Sequence, residues 1–385
     1  MHIAVVNLTQ GGLSGGSRKY LRALLPVWLQ DERVERLSLF VPSPTVADFA
    51  DPALHVQSWP ADDHWRRYAT LKSTLQQLAP DVIFLPTARW LTVDDIPTVI
   101  MVRNMEPLVL PGGGNRAGEW LKNLLRASAA RNACRRATRI IAVSQYVQDF
   151  LQQRWGIQPS KLGMVYHGVD PLDTKELVQT PAWMPHNETT PFLFTAGSIR
   201  PARGLEDIVE ALGLLRQRGF RQTLVIAGAV DPAMQFYQRR LCRLASQYNI
   251  TDQLVWAGHL APQEMAWCFR HCSAFVMTSR VEACPNIALE AMSHGCLCVS
   301  SSNPPMPEFF RDIALYYQAG DAHSLAQQLD VLSHTPAEQK SVRQRAAKIR
   351  TQQFQWHETA QATLGQLTLA LEQGLLQKGR SGALI

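Results

Sequence analysis

Short apolar runs alternate with longer stretches of helical period along this chain. In its first half, two connecting stretches, Ser17–Leu29 and His64–Leu78, have the helical period. Strands that alternate with helices in this way indicate parallel sheets covered by helices. The predicted buried strands of this half are Ile3–Asn7, Leu37–Val41, Val82–Leu85, Thr98–Val102 and Ile140–Val143.

The same alternation starts again after a polar segment that contains Pro181, Pro185 and Pro191. Proline-rich, polar segments are typical of domain boundaries. We therefore predict a first domain over 1–178, a linker over 179–191, a second domain over 192–352 and a final helical segment over 353–385. The predicted strands of the second domain are Phe192–Ala196, Thr223–Ala227, Leu254–Trp256, Ala274–Met277 and Leu297–Ser300.

Composition excludes several classes of protein. With 46% apolar and 18% charged residues in a chain of 385, the sequence is typical of a globular protein of more than one domain. It contains no run of about 18 uncharged apolar residues, so we expect no membrane-spanning helix. The start, Met1–Asn7, predicts a first strand rather than a signal peptide. Seven cysteines without a framework spacing favour reduced thiols and a cytoplasmic protein.

Basic residues concentrate between positions 116 and 139, in a predicted helical stretch with Glu119 as its single acid. Trp120, Leu121, Leu124 and Leu125 lie among them. A basic, partly apolar helix can lie on an anionic membrane surface, although a solvated helix face explains the pattern equally well. No nucleic-acid recognition motif accompanies it, so we expect no nucleic-acid partner. The basic residues are Arg116, Lys122, Arg126, Arg131, Arg135, Arg136 and Arg139.

In each domain, a loop that contains glycine follows the first predicted strand. The first, Gly11–Ser17, contains Gly15 and Gly16. It could bring backbone amides to an anion, but it lacks the glycine spacing of a dinucleotide fingerprint and the Lys-Ser/Thr of a phosphate loop. The second, Gly197–Gly204, carries Arg200 and Arg203, whose guanidinium groups suit a diphosphate. A plain turn and solvated arginines are the structural alternatives.

Two glutamates flank a short predicted helix in the second domain. Asn286 is the predicted N-cap of this helix and Gly295 its end. Glu290 then lies in the first turn or just past it, and Glu282 lies in the preceding loop. Carboxylates at this edge of a sheet can accept hydrogen bonds from sugar and ribose hydroxyls. Stabilisation of the helix dipole by Glu290 is the structural alternative.

The segment around these glutamates resembles the retaining glycosyltransferases of family four. Those enzymes carry two glutamates separated by seven residues, then Ala-Met and a glycine, as do Glu282, Glu290, Ala291-Met292 and Gly295 here. The resemblance implies the α/β GT-B fold, with two Rossmann-like domains that face each other across a cleft and a last helix that returns to the first domain. It extends over nearly the whole chain through Ile140–Tyr146, His167–Asp170, Val255–His259 and Phe354–Trp356.

The resemblance also implies roles for individual residues. Glu290 would bind the donor ribose, and Glu282 would lie near the donor sugar and the diphosphate. Arg203 stands where the family usually has lysine and would hold the diphosphate as it leaves. The backbone groups expected to contact the diphosphate belong to Gly15, Gly16, Asn286 and Ile287, and those expected beside the base to Gly258, His259 and Leu260.

Three departures from the family pattern concern the donor site. Ser198 stands where the family has arginine, with Arg200 as a substitute for the phosphate contact. Ala283–Pro285 replaces Gly-Phe-Gly after the first glutamate. Arg103 and Asn104 replace a His-Asp pair whose histidine contacts the donor sugar, so we expect these two residues near the reacting sugar. The departures leave the identity of the donor open.

The predicted function is transfer of a sugar from a UDP- or GDP-sugar to a glycan, lipid-linked or small-molecule acceptor. The resemblance implies retention of anomeric configuration, no metal or other cofactor, and a place in polysaccharide or lipopolysaccharide synthesis. We expect a cytoplasmic enzyme, with peripheral contact at the inner face of the membrane through residues 116–139. Two alternatives remain open: a nucleotide-sugar epimerase of the same fold, and a non-catalytic subunit that binds a nucleotide-sugar.

Overall fold

The computed structural model describes residues 1–9, 15–49, 51–59, 64–91, 93, 96–109, 114–115, 117–170, 178–184 and 191–382. The chain divides into two compact units. The first unit contains residues 1–108, 121–168 and 356–385, and the second contains residues 109–120 and 169–355. The sequence predicted the end of the first domain at 178, so the structural division falls earlier in the chain.

The first unit is built on a parallel sheet of seven strands in the order β3-β2-β1-β4-β5-β6-β7. Five of the strands coincide with predicted apolar runs to within a residue or two at each end. The other two, β3 and β7, were not predicted, because β3 is a mixed polar strand and β7 has three residues. The strands are β1 His2–Val6, β2 Arg36–Pro42, β3 His55–Trp59, β4 Val82–Leu85, β5 Thr98–Val102, β6 Arg139–Ala142 and β7 Leu162–Met164.

The second unit is built on a parallel sheet of six strands in the order β10-β9-β8-β11-β12-β13. Three predicted strands of this unit match the observed ones residue for residue, and β13 was not predicted because it is a three-residue edge strand. The strands are β8 Phe192–Ala196, β9 Thr223–Ala227, β10 Leu254–Gly258, β11 Ala274–Met277, β12 Cys298–Ser301 and β13 Leu315–Tyr317.

Helices cover both sheets, as the alternating pattern predicts. The helices that precede β8 in the chain are α1 Gly15–Leu29, α2 His64–Leu78, α3 Glu106–Val109, α4 Ala117–Arg136 and α5 Gln145–Trp155. The later helices are α6 Glu206–Arg216, α7 Gln235–Gln247, α8 Pro262–His271, α9 Asn286–Ser293, α10 Met306–Phe310, α11 Ala322–His334, α12 Ala337–Thr351 and α13 Trp356–Gly382. In the part of the chain that the structure describes, no helix is both long and apolar enough to cross a bilayer.

The last helix, α13, belongs to the first unit and packs against α1. Trp28 Nε1 donates to the carbonyl of Ala360 at 2.9 Å, and Tyr20 Oη lies 3.1 Å from Thr363 Oγ1. Both contacts are buried. The C-terminal segment is therefore part of the core of the first unit.

The chain order of each sheet reverses beside its first strand. In the first sheet this point lies between β1 and β4, and in the second between β8 and β11. Loops that follow the two strands at such a point lie side by side, and ligands of open α/β sheets bind there. In the second unit this brings together the loop Gly197–Gly204, here called the arginine loop, and the segment that carries Glu282 and Glu290.

Three local predictions are corrected. Arg139 does not share the basic helix: it opens β6, is buried, and donates to Gln366 Oε1 at 2.8 and 2.9 Å. Asn286 is the first residue of α9 and not its cap, because Pro285 takes the cap position. Helix α1 begins at Gly15 and not at Ser17. Residues Gly11–Ser14 and Arg116 lie outside the described residues.

Candidate functional site

Two glycines create room at the carboxyl ends of β8 and β9. Gly197 follows β8 with φ +134°, and a Cβ there would lie 2.7 Å from Arg203 Nη2. Gly228 follows β9 with φ +145°, and a Cβ there would lie 1.9 Å from the carbonyl oxygen of Gly197. Both positions therefore require glycine. The absence of side chains lets the Arg203 guanidinium lie directly against the loop.

The backbone of Arg203 is fixed on both sides. Arg203 ends a single 3-10 turn, Pro201–Arg203, and Gly204 follows in the left-handed conformation with φ +58°. Thr278 Oγ1 donates to the carbonyl oxygen of Arg203 at 2.6 Å. Because Thr278 follows β11, this bond joins the loop after β8 to the loop after β11.

Arg203 and Glu282 form an ion pair in this site. Arg203 Nη1 lies 2.7 Å from Glu282 Oε1, and the two side chains are 22% and 17% exposed. Ser279 Oγ donates to the same Glu282 oxygen at 2.9 Å and lies 3.4 Å from Arg203 Nη1. Two residues that the sequence predicted for one site are thus in contact, and Ser279 orients both.

A small pocket opens beside this pair. Its floor consists of apolar strand residues and its rim of loop residues, which include Ser198 and Arg203. Arg200 is half-buried and precedes the 3-10 turn. The lining residues are Thr195, Ala196, Gly197, Ser198, Arg203, Leu205, Ile226, Ala227, Phe275, Met277, Thr278 and Ser279.

Helix α9 starts beyond Glu282 and carries Glu290. The amide of Asn286 donates to the carbonyl oxygen of Cys284 at 3.0 Å, so it is engaged within the loop. Among the described residues no such bond is found for the amide of Ile287, which leaves that amide as the donor at the helix start. Glu290 is half-buried and lies just past the first turn.

The residues expected beside the base follow β10. Gly258 has φ +66°, and its carbonyl oxygen accepts from the amide of Gly228 at 2.7 Å. His259 is exposed, whereas the side chain of Leu260 is buried. This hydrogen bond joins the carboxyl end of β10 to the glycine turn after β9, and the His259 ring is accessible beside it.

The remaining predicted residues belong to the first unit. Gly15 and Gly16 are the first two residues of α1. Arg103 and Asn104 directly follow β5. The Arg103 guanidinium carbon lies 5.9 Å from the centroid of the Tyr20 ring, and Asn104 Oδ1 accepts from the amide of Glu106 at 3.1 Å.

A second ion pair near the site was not predicted. The Arg280 guanidinium forms two parallel bonds with Asp207, Nη1 to Oδ2 at 2.5 Å and Nη2 to Oδ1 at 2.6 Å. Asp207 also accepts from Tyr317 Oη and from the amide of Gly320, both at 2.9 Å. Burial opposes the charge of Arg280, but the bonds and charge of Asp207 outweigh it and raise the pKa of Arg280. The only sequence signal was an arginine between Ser279 and Glu282.

Metal ligation was tested on the residues present. Within the described ranges, no three His, Cys, Asp or Glu side chains are arranged to hold a metal ion. Two carboxylates near the pocket, Glu282 and Asp207, already pair with arginines. Metal-independent chemistry stays a prediction.

Two family models match the chain, one in each half. The model described as Glycosyltransferase Family 4 matches residues 32–172, and the model described as Glycosyl transferases group 1 matches residues 182–349. The second match contains the arginine loop, the ion pair and α9. The two halves of the chain therefore resemble two kinds of glycosyltransferase domain.

Curated relatives are similar over part of their length. The chain is 29% identical over 120 residues to an uncharacterized glycosyltransferase, YqgM, of Bacillus subtilis, which is 31% of this chain and 32% of that protein. It is 29% identical over 261 residues to the D-inositol 3-phosphate glycosyltransferase of Pseudarthrobacter chlorophenolicus, 63% of this chain and 61% of that protein. The chain thus spans about one third to three fifths of the length of these relatives.

A solved structure is similar over almost the entire chain. The complex of Anabaena Alr3699/HepE with UDP and glucose superposes with a TM-score of 0.73 at 18% identity, over 96% of this chain and 99% of that chain. The same Anabaena protein has been crystallised with UDP and with UDP-glucose. At this identity the likeness shows the fold: two Rossmann-like domains of the GT-B glycosyltransferase type.

Proposed function

We propose that this chain, which has the GT-B fold and matches glycosyltransferase models in both halves, transfers a sugar from a nucleotide-sugar to an acceptor hydroxyl. The observation that carries the proposal is the Arg203–Glu282 pair beside the small pocket of the second unit. It combines a fixed cation for a diphosphate with a carboxylate for sugar hydroxyls. Both groups suit the transfer of a sugar from a nucleotide-sugar.

The diphosphate of the donor binds at Arg203 in this account. Nη1 is engaged with Glu282 and Ser279, so the other guanidinium N–H groups are available for phosphate oxygens. The start of α9, with the amide of Ile287, contributes a further donor and the positive end of the helix dipole. Ser198, on the rim of the same pocket, can add a hydroxyl. Arg200 lies in the same loop and supplies additional positive charge.

These positions support the following reaction. The bond between the anomeric carbon and the diphosphate oxygen breaks, and the acceptor oxygen forms a new bond to that carbon. The acceptor proton passes to the departing diphosphate, which carries the released electron pair. Arg203 stabilises the developing negative charge, and preorganised charges of this kind are often the largest catalytic contribution. Attack on the face that the diphosphate leaves retains the anomeric configuration.

The two glutamates divide the recognition of the donor. Glu282 accepts hydrogen bonds from hydroxyls of the sugar, close to the diphosphate that Arg203 holds. Glu290, one turn into α9, accepts those of the ribose. The base lies at Gly258–Leu260. The UDP complexes of the similar Anabaena structure favour uracil over guanine. The contact of Arg103 and Asn104 with the donor sugar, which the family resemblance implies, stays a prediction.

The acceptor side includes a surface for an anionic membrane. From Leu121 onward, α4 belongs to the first unit, and Leu121 and Leu125 are 54% and 64% exposed. Lys122 and Arg126 are exposed beside them. The second half of the helix exposes Arg131, Arg135 and Arg136. Exposed leucines with surrounding cations suit the boundary between lipid headgroups and acyl chains. We propose that α4 holds the enzyme at the membrane, where it meets a lipid-linked acceptor.

Liposome sedimentation tests the membrane contact. The wild-type chain should sediment with vesicles that contain phosphatidylglycerol and stay in solution with neutral phosphatidylcholine vesicles. Replacement of Arg131, Arg135 and Arg136 by serine should abolish sedimentation, whereas replacement of the exposed arginines Arg239 and Arg243 of α7 should not. Equal sedimentation of both variants would exclude α4 as the docking surface.

The transfer itself is tested by a chromatographic assay of nucleotide products in the presence of EDTA. The chain is incubated with UDP- or GDP-sugars, with and without a panel of glycan, inositol phosphate and lipid-linked acceptors. Release of nucleoside diphosphate that depends on acceptor supports transfer, and NMR of the product gives the anomeric configuration. Conversion of the donor sugar without release would support the epimerase. Binding without turnover by any donor would support a non-catalytic subunit.

A further inference from the structure

Arg280 lies in the loop that carries Glu282 and contacts the loop that carries Arg203. Its backbone amide binds the Arg203 loop, and its side chain binds α6, the helix that follows that loop. We propose that Arg280 is a positioning residue, which holds the guanidinium of Arg203 where it can bind the second phosphate of the donor. This inference rests on the proposed function, since it assumes that Arg203 binds a nucleoside diphosphate.

The side chain of Arg280 is anchored in the first turn of α6. Asp207 is 3% exposed and its carboxylate accepts four hydrogen bonds, two of them from Arg280. Glu206 Oε1 lies 3.4 Å from Arg280 Nη2, and Glu206 also accepts from Tyr237 Oη. Because α6 begins two residues after Gly204, this anchor fixes the exit of the Arg203 loop.

The backbone of Arg280 fixes the same loop from its other side. The amide of Arg280 donates to the carbonyl oxygen of Ala202 at 2.8 Å, next to Arg203 itself. The carbonyl oxygen of Arg280 accepts from Asn303 Nδ2 at 2.9 Å, which ties it to the loop after β12. Residues 202 to 204 are thus held between the backbone of Arg280 and the anchor of its side chain.

Close packing at Gly204 makes this arrangement specific for arginine. A Cβ at Gly204 would lie 2.5 Å from the carbonyl oxygen of Thr278 and 3.0 Å from the guanidinium carbon of Arg280. The guanidinium therefore packs closely against the turn that follows Arg203. A lysine at position 280 keeps the charge, but it cannot form two parallel bonds to Asp207. It also lacks the planar guanidinium that packs against the turn.

A positioning role and a purely structural role predict different ligand dependence. Arg203 is assigned to the diphosphate, so its displacement should weaken binding of UDP far more than binding of UMP. A general loss of structure in the second unit should weaken both nucleotides equally. The ratio of the UMP and UDP dissociation constants is therefore the informative quantity.

Isothermal titration of the full chain with UDP and UMP tests the proposal. Arg280→Met should raise the dissociation constant of UDP by about 10- to 100-fold, the size expected for a lost charge-assisted bond, and leave that of UMP within about twofold. Arg280→Lys should give a smaller loss in the same direction. Arg216→Met is the matched control, because Arg216 lies on α6 and pairs with the exposed Asp252. It should change neither constant.

Three outcomes would overturn the proposal. They are unchanged UDP binding by a folded Arg280→Met, equal losses of UDP and UMP, and wild-type UDP binding by Arg280→Lys if Arg280→Met does not fold. A wild-type chain that binds UMP as tightly as UDP would instead contradict the role of Arg203. In that case the proposed function fails first, and the two failures are distinguishable.

Discussion

The two units hold the residues that follow their strands in different ways. In the second unit, charged side chains from adjacent loops bind each other, as Arg203 binds Glu282 and Arg280 binds Asp207. In the first unit, Arg103 lies over the aromatic ring of Tyr20 instead. The Tyr20 ring in turn contacts His167 at 5.1 Å and Trp356 at 6.1 Å between centroids.

The difference separates a unit with paired charges beside a pocket from a unit whose arginine lies over buried aromatic rings. Charges that are fixed in pairs suit a ligand whose charge is always the same, such as the diphosphate of a nucleotide-sugar. The free-energy cost of orienting these charges is met when the protein folds and not when the ligand binds. The Tyr20 and His167 rings of the first unit are 0% and 3% exposed, so they support Arg103 from the core and do not themselves contact a ligand. We therefore expect the second unit to determine the chemistry and the first unit to determine the acceptor.

The largest effect on stability should come from Asp207. Asp207→Ala removes a buried carboxylate that accepts from Arg280, Tyr317 and Gly320, and among the described residues it leaves the half-buried guanidinium of Arg280 with only the longer contact to Glu206. Breaking a buried pair of this kind typically lowers the free energy of unfolding by about 3–5 kcal/mol. Differential scanning calorimetry should show a lower midpoint for the second unit and an unchanged one for the first. The control, Asp252→Ala, removes the exposed partner of Arg216 and should leave both midpoints unchanged. An equal shift of both units would mean that they do not unfold separately.

Arg203 should have the largest effect on turnover. Arg203→Met removes the cation that stabilises the leaving diphosphate, and loss of one such donor typically lowers kcat by about 100- to 1000-fold. The same measurement on Arg243→Met, an exposed arginine of α7, should give the wild-type rate. A kcat for Arg203→Met within threefold of wild type would remove Arg203 from the mechanism.

Gly228 should have an intermediate effect on stability. Gly228→Ala places a Cβ 1.9 Å from the Gly197 carbonyl oxygen, in a backbone conformation with φ +145°. Strain and overpacking together should lower the free energy of unfolding by about 2 kcal/mol or more, measured by urea denaturation. Wild-type stability would show that the glycine turn in the second unit is not closely packed.

The smallest effect should be a gain in the first unit. Gly365 lies inside α13, and a Cβ there meets no atom within 4 Å. Gly365→Ala should therefore raise the free energy of unfolding by about 0.5–1 kcal/mol through helix propensity, again measured with urea. A loss of stability would mean that α13 is packed more tightly at this position than its contacts indicate.

Sequence reasoning succeeded where the signal is local. Strands β8, β9 and β11 are short, mostly apolar runs bounded by proline, glycine or polar residues, and their predicted and observed bounds agree. It failed at β7 and β13, three-residue edge strands whose formation depends on a neighbouring strand. The predicted cap at Asn286 was wrong by one residue because Pro285 takes that position.

Contacts distant in sequence were not predictable. Arg139 belongs to a basic cluster in the sequence, but it is buried against Gln366, 227 residues away, and burial lowers its pKa. Arg280 meets Asp207 across 73 residues. In both cases the partner is an ordinary polar residue with no motif of its own. The site could thus be located from its glutamates and arginine loop, whereas the ion pair that supports it required the structure.

The central claim is that the site around Arg203 and Glu282 in the second unit binds a nucleoside diphosphate. Its most direct test is the thermal midpoint of the full chain with UDP, GDP, ATP and NAD in the presence of EDTA. A nucleoside diphosphate at 100 times its dissociation constant should stabilise the protein by about 2.7 kcal/mol. The midpoint should therefore rise with UDP or with GDP, and it should not rise with ATP or NAD. An unchanged midpoint with both UDP and GDP would contradict the claim.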